Sequence, residues 1–245
     1  MIKEKIKAHF NKANKSYDEH CQLQQYVGNK LITLLKPFSP PYANIIDIGC
    51  GTGITTQHLA KQLSYQAFHA IDIATQLLSV ANERLLPLGI HTYEGDMDKL
   101  FSPPPYFDII FSNMALHWSM NLAETINKIA ALANMQGILA FSLPLPRTLL
   151  ELQRAFSLNN FIDASKIENY LRDNSYEILI QQTEKITLSF DNTRAALASI
   201  KKVGANYVQH RTRIGLRGKS VMHQINLSKI TYVIGYFIAR KRDTI

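Results

Sequence analysis

Three aspartates, Asp47, Asp72 and Asp96, each follow a short run rich in apolar or aromatic residues: "ANIIDIG", "QAFHAID" and "HTYEGD". A carboxylate at the end of such a run can accept hydrogen bonds from a ligand lying across the tips of neighbouring strands. Directly after the first comes "GCGTG", in which Gly49, Gly51 and Gly53 alternate with Cys50 and Thr52. Strand, glycine turn and helix together let the backbone approach a ligand without a Cβ in the way and point helix N-terminal amides at it. A dinucleotide-binding turn reads G-x-G-x-x-G, whereas the spacing here is G-x-G-x-G, and the Asp47 carboxylate would repel a pyrophosphate. The ligand that fits is positively charged. Asp72 lies about twenty residues beyond the turn, where an acid can accept both hydroxyls of a ribose. Asp96 could take an adenine amino group, with Met97 packed on the ring. Each of the three alone also reads as a turn or cap aspartate; at three successive strand ends they read together as a nucleoside site.

The elements that must position these residues alternate along the chain. Candidate strands "ANIIDIG", "QAFHAID", "HTYEGD", "FDIIFSN" and "GILAFSL" are separated by stretches of helical period near Thr55 to Leu63, Ala74 to Leu86 and Asn121 to Ala133. That pattern predicts an α/β fold, a parallel sheet covered by helices on both faces, in which Ile45, Ile46 and Ile48 run together because neither face meets water. Two further strand candidates, "EKITLSF" and "KITYVIGYFIARK", follow. Ahead of the first strand, two helices are expected, over Ile2 to Asn14 and Glu19 to Lys36, placed either for packing or to fold over the crevice at the strands' carboxyl ends.

With 245 residues, 46% hydrophobic and 19% charged, the chain suits one large soluble domain. We expect a single domain over 1–245 with N-terminal helices in 1–40. No apolar stretch approaches the roughly 20 residues of a membrane span, and the first residues lack the pattern of a secretory signal; a cytoplasmic protein is expected. Cys21 and Cys50 give neither a disulfide framework nor a metal-ligand spacing, so no metal is expected. The net charge of +8 is unevenly spread: from Asn192 to Arg242 there are eleven Lys or Arg residues and no acid. Such a field gathers anionic partners, although a solvated basic face would look the same. Asp191 as N-cap and Gly204 as stop bracket a helix with Arg194 and Lys201 two turns apart on one face. The long connection over 191–228 reads as a basic helical lid.

"DIGCGTG", Asp72, "GDM" and "FDIIFSNMALHW" together make Ile45 to Leu143 resemble the class I S-adenosylmethionine-dependent methyltransferases, with their Rossmann-like, mostly parallel seven-stranded sheet. The resemblance implies S-adenosyl-L-methionine as cofactor, held by Asp47, Gly49, Gly51, Gly53, Asp72, Ile73, Asp96, Met97, Ser112 and Asn113. Gly49 and Gly51 would line its methionine portion, and Ser112 and Asn113 would lie near the sulfonium.

Over nearly the whole chain, "SYDEHCQLQQYVGNKLITLL", "SNMALHWSMNLAETINKI", "LSFDNTRAALASIKKVGAN", "RTRIGLRGKS" and "ITYVIGYFIARK" are similar to the malonyl-[acyl-carrier protein] O-methyltransferases of biotin synthesis. That similarity implies methyl transfer to the free carboxylate of a malonyl thioester, whose pKa of about 4 leaves it an anionic nucleophile without a general base. Tyr17, His117 and Trp118 are the candidates for the closed wall of the site or for hydrogen bonds to the acceptor carboxylate; Tyr17 and Trp118 read equally as packing residues. The implied partner is an acidic acyl-carrier protein bearing malonyl-phosphopantetheine, and Arg194, Lys201, Lys202, Arg211, Arg213, Arg217 and Lys219 are candidates to hold it. Alternatives are another carboxyl or quinone-precursor methyltransferase, an RNA methyltransferase, and a cofactor-binding protein without chemistry. The charge would suit RNA, but no nucleic-acid-binding appendage is evident and "SNMA" stands where such enzymes carry an "NPPY"-type loop.

Overall fold

The computed structural model describes residues 2–100, 106–153, 159–205 and 227–242. Seven strands, β1 (Ala43–Ile48), β2 (Tyr65–Asp72), β3 (His91–Glu94), β4 (Phe107–Asn113), β5 (Ala133–Pro144), β6 (Tyr176–Ser189) and β7 (Lys229–Lys241), form one sheet in the order β3-β2-β1-β4-β5-β7-β6. The first five run parallel, and β7 pairs antiparallel with both β5 and β6. The fold is therefore the Rossmann-like α/β arrangement of the class I methyltransferases. Alternate residues of each strand feed two separate cores. Ile45, Phe68, Ile109 and Ala140 pack beneath α3 (Gln22–Leu35), α4 (Ile54–Gln62) and α5 (Thr75–Leu85). Ile46, Ile71, Ile110 and Leu139 meet α6 (Leu122–Leu132) and α7 (Ala164–Asp173) on the other face. This is why the apolar runs are continuous: both members of each pleat are buried.

The expected helix over Glu19 to Lys36 is two pieces, α2 (Tyr17–His20) and α3, broken at Cys21. The strand read as "EKITLSF" starts earlier, at Tyr176, because its pairing with β7 continues through Lys241. Helix α7 escaped the sequence reading, although Ile167 and Leu171, four residues apart, are its buried face. Helix α8 (Thr193–Lys202) is capped by Asn192, whose side chain accepts from the Ala195 N–H at 2.9 Å, and not by Asp191 as expected. Its buried Ala196 and Ile200 join Leu152, Leu227 and Ile230 in a small separate core.

α1 (Ile2–Ala13) lies against α5, and α8 packs against α2. The Gly204 backbone abuts Phe10 so closely that a Cβ there would stand 2.8 Å from the ring. The Ser16 hydroxyl donates to the Lys202 carbonyl at 3.0 Å. Among the described residues no helix is long and apolar enough to cross a membrane.

Candidate functional site

β1 lies between β2 and β4, so the chain's connections diverge at its carboxyl end, the place where open α/β sheets form a crevice. A cleft enclosing about 610 Å³, open solvent at its mouth included, occupies that place. Gly49, Gly51, Asp72, Ile73, Asp96, Met97 and Asn113 line it from the sheet side. Its roof is α1, which contributes Lys3, Ile6 and Phe10, spaced to share one helical face. The roof is clasped to the floor: Lys3 Nζ lies 3.1 Å from Asp96 and 2.8 Å from Asp98. Burial works against the Asp98 charge, but the hydrogen bond and charge of Lys3 hold its carboxyl below the usual range. Asp98 also accepts from the Met120 N–H and the Thr125 hydroxyl, tying the roof to the loop after β4.

The glycine turn is shaped by contact as much as by conformation. Gly49 has φ +81°, and a Cβ there would stand 2.3 Å from the Ala115 Cβ. Gly51 faces the cleft, where a Cβ would lie 3.6 Å from the Tyr17 phenol oxygen. Gly53, expected to hold the ligand, is the N-cap of α4, and a Cβ there would stand 2.9 Å from Leu85 of α5. Its small size serves helix packing. The turn is locked by Asp72, which accepts from the Gly51 N–H at 2.8 Å with one oxygen and from the Ala74 N–H at 2.7 Å with the other. Burial raises the Asp72 pKa, while those backbone bonds pull it down. The Ile73 N–H adds a third backbone interaction, and the carboxylate, which lines the cleft, keeps acceptor capacity for a hydroxyl there.

Asp47 lines a second, smaller cleft of about 360 Å³, again with its open mouth included. Tyr17, Gly49 and Asn113 border both clefts, so the two are adjacent. Asp47 is 2% exposed. Its Oδ2 accepts from the Thr56 hydroxyl at 2.6 Å, and its Oδ1 has no hydrogen-bond partner among the described residues. Burial pushes its pKa up to about 7, opposed by the Thr56 bond and reinforced by the Asp72 charge. A buried carboxylate oxygen without a donor suits a cationic ligand, as the sequence implied. Tyr17, at the start of α2, is driven well above the ordinary phenol range by burial and the acidic groups around it, so it is a neutral phenol near pH 7.

Other expected site residues are placed differently. Ser112 is fully buried and donates to the Ile48 carbonyl at 2.7 Å, stitching β4 to β1 away from the cleft surface. Asn113 does reach both clefts; its amide donates to the Gln24 carbonyl at 2.8 Å and its oxygen accepts from the Ser142 hydroxyl at 2.8 Å. Of the pair after β4, Trp118 lines the main cleft, packed edge-on against Phe10 at 5.3 Å. His117 packs on Trp118 and Phe161, and burial lowers its pKa to about 3, leaving it neutral. Arg194, Lys201 and Lys202 are exposed on α8. Arg211, Arg213, Arg217 and Lys219 lie outside the described residues. Sequence reading missed Lys3, Phe10, Gln24 and Thr56. Only the Lys3, Ile6, Phe10 spacing carried a signal, since the others depend on how helices pack over the turn.

Residues 45–137 match a family model described as a methyltransferase domain. Among solved structures, the YcgJ protein of Bacillus subtilis superposes with a TM-score of 0.65 at 15% identity, covering 88% of this chain and 100% of that one. The phosphoethanolamine N-methyltransferase 2 of Haemonchus contortus, solved in complex with S-adenosyl-L-methionine, gives 0.61 at 15% identity over 95% of this chain and 57% of that one. The fold is that of the class I methyltransferases. Over 241 residues the chain is 32% identical to malonyl-[acyl-carrier protein] O-methyltransferase 2 of Coxiella burnetii, spanning 98% of this chain and 97% of that protein. The corresponding enzyme of Salmonella typhimurium is 25% identical over 92% of this chain and 89% of its own. The chain belongs to the malonyl-[acyl-carrier protein] O-methyltransferase family.

Proposed function

We propose that the protein transfers the methyl group of S-adenosyl-L-methionine to the free carboxylate of a malonyl thioester carried by an acidic acyl-carrier protein. The product, a malonyl methyl ester, would prime pimeloyl synthesis for biotin in the cytoplasm. The observation that carries this reading is similarity along nearly the entire length of the Coxiella burnetii relative, the N-terminal helices and residues 191–228 included. The geometry agrees with it. Asp47 offers a buried acceptor to a cationic cofactor, the Asp72 carboxylate lines the cleft where it can accept from a ribose hydroxyl, and Met97 lines the cleft beside Asp96 at the adenine end. In that arrangement Lys3 shares Asp96 with the cofactor and keeps Asp98 as its own partner.

In the transfer, a malonyl carboxylate oxygen forms a bond to the methyl carbon as the sulfur–carbon bond breaks, and the bonding pair returns to sulfur. Two opposite charges vanish together, so water, which stabilises the separated ions, slows the step, and a site that aligns the pair and excludes solvent speeds it. The α1 roof, with Ile6, Phe10 and Trp118, supplies that exclusion. Neither neutral His117 nor Tyr17 is poised to take a proton near pH 7, and a carboxylate acceptor asks for none. Tyr17 and Trp118 would form the wall beside the acceptor. The chain is read as a single domain over 1–245 whose insertion at about 191–228 docks the carrier through Arg194, Lys201, Lys202, Arg211, Arg213, Arg217 and Lys219.

The test is methyl transfer with labelled cofactor offered malonyl-carrier protein, free malonyl thioester or bulk tRNA. Label in a base-labile ester on the carrier is expected; label in tRNA, or no turnover, would overturn the reading. Reversing the charge of Arg194 and Lys201 together should raise the KM for carrier about tenfold or more, as loss of a charged docking surface does, while cofactor affinity stays unchanged. Asp72→Ala should weaken cofactor binding by about 1–3 kcal/mol, the scale for unpaired buried hydroxyls, and calorimetric titration reads this directly.

A further inference from the structure

The small cleft beside Asp47 contains a second buried acceptor. Gln24, in the first turn of α3, lines it, and its Oε1, like Asp47 Oδ1, is buried and has no hydrogen-bond partner among the described residues. Its backbone is fixed, because the Gln24 carbonyl accepts from Asn113, which is itself held by Ser142. Two unpaired acceptors, one charged and one neutral, border one small space, and each left so costs free energy comparable to a lost hydrogen bond. The group that satisfies both is a primary ammonium, which has donors to spare and a charge to match the carboxylate. Tyr17, Gly49 and Asn113 border both clefts, so the smaller lies within a short arm's reach of a ligand in the larger, Gly49 leaving no side chain at their shared edge.

Resting on the reading of the large cleft as an S-adenosyl-L-methionine site, we propose that Gln24 is a cofactor-positioning residue whose Oε1, opposite Asp47, receives the α-ammonium of the methionyl arm. Helix α3 thereby reads the cofactor's amino-acid end, while the strand tips read its nucleoside.

The test compares three ligands by calorimetry: S-adenosyl-L-methionine, its decarboxylated form, which keeps the ammonium, and 5′-methylthioadenosine, which lacks the whole amino-acid arm. Gln24→Leu should weaken the first two alike, by about tenfold or more, the scale of a hydrogen bond to a charged group, and leave the third unchanged. Gln24→Glu, whose side chain keeps an acceptor and adds charge, should retain or tighten binding of the two ammonium ligands, and it serves alone if the leucine variant does not fold. Equal weakening of 5′-methylthioadenosine, or undiminished binding of the decarboxylated ligand by Gln24→Leu, would overturn the assignment. So would Gln24→Glu binding the ammonium ligands more weakly than the unaltered protein. Failure of the unaltered protein to bind any of the three would instead overturn the cofactor reading beneath it.

Discussion

Replacing Asp47 by asparagine should make the ligand-free protein more stable at pH 8, by on the order of 2–4 kcal/mol, while removing its ability to bind a cationic cofactor tightly. The Asp47 pKa stands at about 7 in the fold because burial disfavours its charge, against about 3.9 in an unfolded chain. A group whose folded pKa is raised contributes stability that is present below the unfolded value and lost as pH rises through the folded one. For Asp47 that loss falls between about pH 4 and pH 7. Asparagine has no charge to bury and can still accept from Thr56. The stability gap between variant and unaltered protein should therefore open over this window and close again in acid. Denaturant melts at a series of pH values measure it, and a gap of constant size would show that Asp47 titrates normally. Binding should mirror this: below about pH 7 the unaltered protein must release a proton from Asp47 to accept a cation, so its cofactor affinity should fall about tenfold per pH unit. The variant's affinity should be weak and flat.

Gly49→Ala should destabilise the protein by about 3 kcal/mol or more. A methyl group there collides with the Ala115 Cβ at 2.3 Å, and the φ of +81° disfavours any residue with a Cβ. Overpacking of this kind costs about 1–3 kcal/mol, and the left-handed backbone roughly 1–2 kcal/mol more. For a chain of this size the melting temperature should drop by about 6–12 °C. Adding Ala115→Gly should restore the collision's share and leave the conformational share, so partial recovery is the expected result and full recovery would refute the strain argument. Gly51→Ala makes the contrast: its Cβ would have 3.6 Å to the Tyr17 hydroxyl. Its φ of +58° keeps the conformational share, roughly 1–2 kcal/mol, without the collision, so Gly51→Ala should destabilise less than Gly49→Ala while also weakening ligand binding at the cleft.

How much could be read before folding follows from how local each cause is. The five parallel strands were legible because Ile45 and Ile46, or Ile109 and Ile110, are adjacent residues buried on opposite faces, which leaves an apolar run in the chain itself. The glycine turn and its aspartates were legible because their roles depend on positions a few residues apart. Gly53 and Ser112 belong to the same motifs, yet their immediate neighbours are Leu85 and Ile48, brought there by the packing of whole elements. Lys3 and Gln24 reach the site from helices that precede the first strand. Lys3 meets Asp96 and Asp98, and Gln24 borders the cleft that Asp47 lines, all distant in sequence; the Lys3, Ile6, Phe10 spacing marks a shared face of α1 but not what that face meets. Asn192 displaced Asp191 as cap by a single residue, since both have capping side chains and only the backbone path decides between them.

The sheet order has a consequence for how the chain acquires its shape. β6 touches the sheet only through β7, which follows it in sequence and must slide between β6 and β5. The five-stranded half that carries the glycine turn can assemble while β6 still has both edges bare. Until β7 arrives, β5 also presents an open edge, and pairings so distant in sequence close slowly. A growing chain is thus most prone to sticking to its neighbours in this interval, when two long strands await one partner. β7 acts as a keystone that seals both at once.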